Sequence, residues 1–146
     1  MSLCSLYWEQ IAMTDWAKKL FQSEAVTKRA PRKIGDVIQG QLMLIPSARQ
    51  VDDAIRNIPH GQSLNVVELR NVLAKEHGTD VTCPVSIGYQ LRTVAEAARE
   101  ALDQGVHLEQ VTPFWRVLDA KTPTTAKLGQ AAVIVLEQRR KEGLAP

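Results

Sequence analysis

Cysteine is scarce in this chain, with two among 146 residues. Cys4 and Cys83 supply neither a disulfide framework nor a zinc-ligand spacing. The three histidines are scattered along the sequence, so no metal site and no cofactor is expected. A reducing cytoplasm is the expected setting. No apolar run approaches the length of a bilayer span, and the N-terminus lacks a basic region followed by an apolar segment, so neither a membrane partner nor export is expected. There is no internal repeat and no low-complexity tract. An excess of one charge is lacking too. Eighteen Lys and Arg stand against sixteen Asp and Glu, a net charge of +2, so nucleic-acid binding has to be read from local clustering and not from bulk charge.

One cluster exists. Lys28, Arg29, Arg32 and Lys33 fall within six residues, with no acidic residue between Glu24 and Asp36. Phosphate contact and a solvated linker are the two readings of such a run. A hydrophobic content of 45% over this length suits one compact core. Met13 offers a second plausible start, and residues 1 to 12 are expected to add little to the fold.

The pattern along the chain predicts a mainly α architecture with a small β wing. Residues 14 to 22 read as a short appendage helix capped by Thr14, with Trp16, Leu20 and Phe21 at helical spacing. Ser23 to Gly40 reads as a linker or basic arm. Ser47 and Gln50 have capping-box spacing ahead of a helix over about 48 to 57. Asn65 and Glu68 repeat that logic for the next helix, which Gly78 stops. Pro84 opens a long helix running to about Gln104, with Gly105 beyond its end. Its apolar face is Ile87, Leu91, Val94, Ala95, Ala98 and Leu102, and Ser86, Tyr89 and Thr93 face the other way. Gly88 sits at the edge of the buried stripe, where it would allow close packing. Val106 to Leu118 holds β-formers that would supply the wing, with Pro113 at an edge or turn. A last helix over about 126 to 141 buries Leu128, Ala131, Ala132, Val135 and Leu136. Its Arg139, Arg140 and Lys141 favour the helix dipole.

Three segments carry a resemblance. Thr112-Pro113-Phe114-Trp115-Arg116-Val117-Leu118 is similar to the Pro-Cys-His-Arg-Val signature of alkylguanine-DNA alkyltransferases, the methylated-DNA-protein cysteine methyltransferases. Ile58-Pro59-His60-Gly61-Gln62, with Asn65, Leu69 and Ala74, resembles that family's entry to its first DNA-binding helix. Gly88-Tyr89-Gln90-Leu91-Arg92 has the spacing of its Gly-Gly-Ala-Met-Arg segment. The matches come in family order over residues 41 to 146, leaving 1 to 40 as an N-terminal extension and basic arm.

The resemblance implies a winged helix-turn-helix domain that binds double-stranded DNA, with the helix from Pro84 as recognition helix. It implies that Arg92 enters the duplex and that Ser86, Tyr89, Gln90 and Thr93 line the contact; the charge cluster of the basic arm, with Arg29, Arg32 and Lys33, is expected to add phosphate contacts. Phe114 replaces the alkyl-accepting Cys and Trp115 the His that activates it, so the expectation is a binder that is not an enzyme. Val66 stands where the family has a phosphate-displacing Tyr. The base pocket expected from the resemblance comprises Pro113, Phe114, Trp115, Arg116 and Val66, and its ligand would be an alkylated guanine or other damaged base held for a repair-protein partner.

The residues keep alternatives open. Phe114 and Trp115 are equally readable as core, and Arg92 as a solvated helix arginine. The fold would also serve a general DNA-binding regulator that has lost base flipping, or a protein-interaction module anchored by Phe114, Trp115, Trp8 and Trp16. Cys83 near a helix start invites comparison with a relocated nucleophile, but no Cys-His-acid arrangement accompanies it.

Overall fold

The computed structural model describes residues 14 to 146. Cys4, Trp8 and the extension over residues 1 to 12 therefore lie outside the described residues. Within them, five α-helices alternate with a small sheet: α1 Asp15–Gln22, β1 Val26–Arg29, β2 Leu42–Ile45, α2 Ala48–Arg56, α3 Val66–Glu76, β3 Val81–Thr82, α4 Pro84–Asp103 and α5 Gln130–Lys141. Three single 3₁₀ turns, Leu108–Gln110, Phe114–Arg116 and Thr125–Lys127, occupy the stretch between α4 and α5. The architecture is mainly helical with one three-stranded sheet.

The local signals at helix starts act as read. Thr14 Oγ1 accepts from the Ala17 amide. Around α2, the Gln50 amide donates to Ser47 Oγ and the Ser47 amide to Gln50 Oε1, both at 3.1 Å. Asn65 and Glu68 exchange the same pair of bonds at the start of α3. These boxes satisfy amides that the first helical turn leaves without partners. Pro84 occupies the first turn of α4, and Gly78 and Gly105 take positive φ just beyond α3 and α4, the conformation that ends a helix at lowest strain for glycine.

Four sequence expectations are corrected. The N-terminal helix is no appendage: Ala17 and Leu20 of α1 are buried in the main core, and α1 packs extensively on α4 and also on α2. Its apolar side is short but continuous, enough to cover the face of α4 that would otherwise meet water. Ser23 to Gly40 is not a plain linker, because β1 pairs antiparallel with β2, Val26 opposite Ile45 and Arg29 opposite Leu42. All four β1 residues are exposed, so no alternation of apolar and polar side chains betrays a strand held by backbone bonds alone. The β1–β2 ladder thus joins the basic arm to the domain expected to start at residue 41.

The wing strands expected within Val106 to Leu118 do not form. Pro113 has no N–H for a ladder, and Val111, Phe114, Trp115, Val117 and Leu118 all turn into the core, which a pleated strand with alternating sides does not allow. The sheet lies instead ahead of α2 and between α3 and α4, where β3 runs parallel to β2. Finally, α5 begins at Gln130 and not near 126. Gly129 takes φ +56, which breaks the helix from the Thr125–Lys127 turn.

Burial also departs from the predicted faces. In α4, Ile87, Leu91, Val94, Ala95 and Ala98 are buried as read, but Thr93 and Glu96 are buried too. Both α1 and α2 pack on α4, so more of its circumference is covered than periodicity assigns to the core. In α5, Ala131 and Val135 are buried, whereas Leu136 is 47% exposed. Arg139 is not a surface cation at the helix dipole. It is buried and donates to the carbonyls of Trp115, Leu118 and Ala145, tying the last helix to the preceding segment.

Candidate nucleic-acid interface

The N-terminal end of α4 is the most exposed part of that helix. Val85 and Tyr89 are 55% and 69% exposed, on the wall of an open groove of about 370 Å³. The opposite wall is the Thr122–Thr124 segment with Lys127, and the floor includes Val66, Ile87 and Gly88. Arg92 lines the groove one turn further along α4. Among the described residues, no Asp or Glu lines it. An alanine Cβ at Gly88 would meet Thr124 Oγ1 at 3.9 Å, an ordinary contact, so the expected tight packing at this glycine is absent.

The sequence-predicted contact residues divide. Tyr89 faces the groove, whereas Ser86 is half-buried and does not line it, its hydroxyl donating to Cys83 Sγ. Gln90 does not read a ligand: its Nε2 donates to Ser23 Oγ and the Pro46 carbonyl, which fastens α4 to the start of α2. Thr93 is buried, and its hydroxyl donates to the Tyr89 carbonyl. Arg92 does not project as a finger. Its guanidinium lies back over the Trp16 ring of α1, Cζ 5.3 Å from the ring centre. Arg32 and Lys33 are exposed, and Arg29 approaches Asp80 at 4.0 Å with both side chains largely in water, a pair that contributes little.

The five residues expected to shape one base pocket fall in three places. Phe114 is wholly buried, and Trp115 is 3% exposed, the two rings meeting edge to face at 5.4 Å and 70°. This is core geometry. Pro113, Trp115 and Arg116 border a different and larger cleft of about 830 Å³, whose rim includes Asp53, His60 and Glu109. Val66 belongs to the α4 groove. The reason is the 3₁₀ turn over Phe114–Arg116, which directs successive side chains to different sides. Arg116 is held by Glu142 and by the Ile58 carbonyl, and the Leu64 amide donates to the Arg116 carbonyl. The segment therefore braces the entry to α3.

Two residues of the groove, and the tryptophan that Arg92 lies over, escaped sequence reasoning. Lys127 and Thr124 sit in a stretch with no periodic signal. Trp16 read as part of an appendage, although its i,i+3 spacing to Lys19 was a cue to a shared face.

Cys83 caps α4 and is buried. Its sulfur accepts from the amide and hydroxyl of Ser86. Burial pushes the thiol up, but these bonds, the Val85 amide and the nearby Arg70 outweigh it and hold Cys83 below its ordinary value. No His or carboxylate pairs with it among the hydrogen bonds of the described residues, and a buried sulfur engaged in capping is poorly placed to attack a DNA adduct. Among the described residues no cluster of His, Cys, Asp or Glu is arranged to hold a metal ion, and no helix is long and apolar enough to cross a membrane.

No protein-family model, curated protein or solved structure matches this chain.

Proposed function

We propose that this protein binds double-stranded DNA without catalysing alkyl transfer, through a helix-turn-helix formed by α3 and α4, with the β1–β2 hairpin taking the place of a wing. The observation that carries the reading is the N-terminal face of α4. There Tyr89 and Val85 stand exposed on a groove whose charged lining, among the described residues, is Arg92 and Lys127. Helix-turn-helix proteins enter a DNA groove with this part of the second helix, while nearby cations hold phosphates. The exposed Lys28, Arg29, Arg32 and Lys33 extend the cationic surface. The resemblance to alkyltransferase segments, in family order, supports the same face, and the Phe114-Trp115 replacement removes the nucleophile and its activator.

The narrower form of the reading is that the groove between α4 and Thr122–Thr124 receives an alkylated or otherwise damaged base, for a repair partner to act on. A second reading, a general DNA-binding regulator that has lost base flipping, is favoured by the closure of Phe114 and Trp115 into the core. The two are separated by fluorescence anisotropy with matched duplexes, one carrying guanine methylated on its exocyclic oxygen. Tighter binding of the modified duplex, weakened by Arg92→Ala, supports lesion recognition. Equal binding of both supports the regulator. Absence of binding at low salt removes both and returns the fold to protein interaction.

A further inference from the structure

Arg92 carries a charge that the described residues do not answer. Its Nε–H is buried with no hydrogen-bond acceptor, and none of the ion pairs among the described residues includes it. Leaving such a donor unsatisfied costs about 1–3 kcal/mol, and more for a charged group. Stacking on Trp16 offsets part of this, about 0.5–2 kcal/mol. Packing of the stem on an indole would account for one cation, but a second one shares the ring. Lys19 Nζ lies 4.3 Å from the same ring centre, and it too lacks a carboxylate among those ion pairs. Two like charges gathered on one indole repel each other in the free protein. Arg92 also lines a groove that contains Lys127 and, among the described residues, no acid.

An anion resolves each of these features. It supplies acceptors to the guanidinium and removes the repulsion. The guanidinium is planar and carries its donors in a fork that suits phosphate oxygens. Resting on the DNA-binding reading above, we propose that Trp16, Lys19 and Arg92 form a clamp for a backbone phosphodiester. Trp16 is the positioning residue, and Arg92 grips the strand from outside and does not enter the base stack. The helix that the sequence presents as an appendage is then part of the binding surface.

The test is anisotropy of a labelled unmodified duplex over a salt series, with native protein, Arg92→Gln, Lys19→Gln, Trp16→Leu, Trp16→Phe and the Trp16→Leu/Arg92→Gln pair. Each charge removal should weaken binding roughly tenfold at low salt and make the slope of log affinity against log salt shallower by about 0.9, one phosphate's worth. Trp16→Leu, which changes no charge, should match Arg92→Gln, the double variant should lose no more than either, and Trp16→Phe should recover most of the affinity. A 2-aminopurine in the duplex should stay quenched on binding.

Native binding with unchanged affinity and slope in the variants overturns the clamp and leaves the DNA-binding reading standing. A 2-aminopurine signal that rises with native protein and not with Arg92→Gln also overturns it, because Arg92 then enters the stack. No binding by native protein at low salt removes the clamp and the DNA-binding reading together. If Trp16→Leu does not fold, the charge variants and Trp16→Phe still decide the matter.

Discussion

The Arg116 guanidinium and the Glu142 carboxylate meet at 3.0 Å, with the Glu142 side chain only 4% exposed. The same carboxylate accepts from the Trp115 indole and the Gly61 amide, so one acidic group just past α5 joins the aromatic segment to the turn that precedes α3. Burial pushes Glu142 up, but its bonds from Arg116, Gly61 and Trp115 outweigh this and hold it below its ordinary value of 4.5. A carboxyl depressed on folding contributes stability that is present above that value and is lost as pH falls through the folded one. Glu142→Gln should therefore lower unfolding free energy at pH 7 by about 2–3 kcal/mol. In urea melts, the gap between native and variant should narrow below pH 4.5. A gap that is constant with pH would show that the ionised form contributes nothing.

Placing a cysteine at position 114, where the resembled alkyltransferases carry theirs, should not create alkyl-transfer chemistry. Phe114 has no exposed surface, so Phe114→Cys leaves a cavity against Trp115 and should cost about 3 kcal/mol. After incubation with a duplex containing methylated guanine, intact-mass measurement of the variant should show no methyl adduct. An adduct at position 114 would mean that the segment opens to DNA.

Gly88→Ala should stabilise the protein by about 0.5–1 kcal/mol. A glycine inside a helix costs about that much relative to alanine, and the new methyl group meets Thr124 at an ordinary distance. Thermal melts decide this, and a drop in melting temperature would show that the groove floor is tighter than its geometry indicates.

Tyr89→Ala should separate binding from folding. The side chain is 69% exposed, so stability should stay within about 0.5 kcal/mol of native. DNA affinity should fall roughly three- to tenfold on loss of one polar contact. Unchanged affinity in a folded variant would move the interface away from the start of α4.

Much of the helical framework was legible. Both capping boxes, the Thr14 cap, Pro84 at the head of α4 and the glycines after α3 and α4 are local features, each complete within a few residues. The buried stripe Ile87, Leu91, Val94, Ala95 and Ala98 followed from period alone. Less legible was β1, whose four exposed side chains carry no alternation. The stretch from Val106 to Leu118 misled for the opposite reason. It is rich in β-formers because it is core, and Pro113 with two short turns serves burial as well as a strand would.

The candidate site was legible in part. Ser86 is half-buried with its hydroxyl on Cys83, and Tyr89 keeps the exposure that helical period assigns to it. Gln90 and Thr93 do not, since Ser23, Pro46 and α1 lie on the face they were expected to offer a ligand. The sequence by itself determined where helices start and stop and which face of α4 is apolar, because those depend on contacts three or four residues apart. Only the tertiary structure decided that α1 belongs to the core, that Phe114 is sealed while Pro113, Trp115 and Arg116 border a separate cleft, and that Arg92 rests on Trp16. Each of these depends on neighbours from other elements of the chain, and the side of a residue that such a neighbour covers is not encoded in its local spacing.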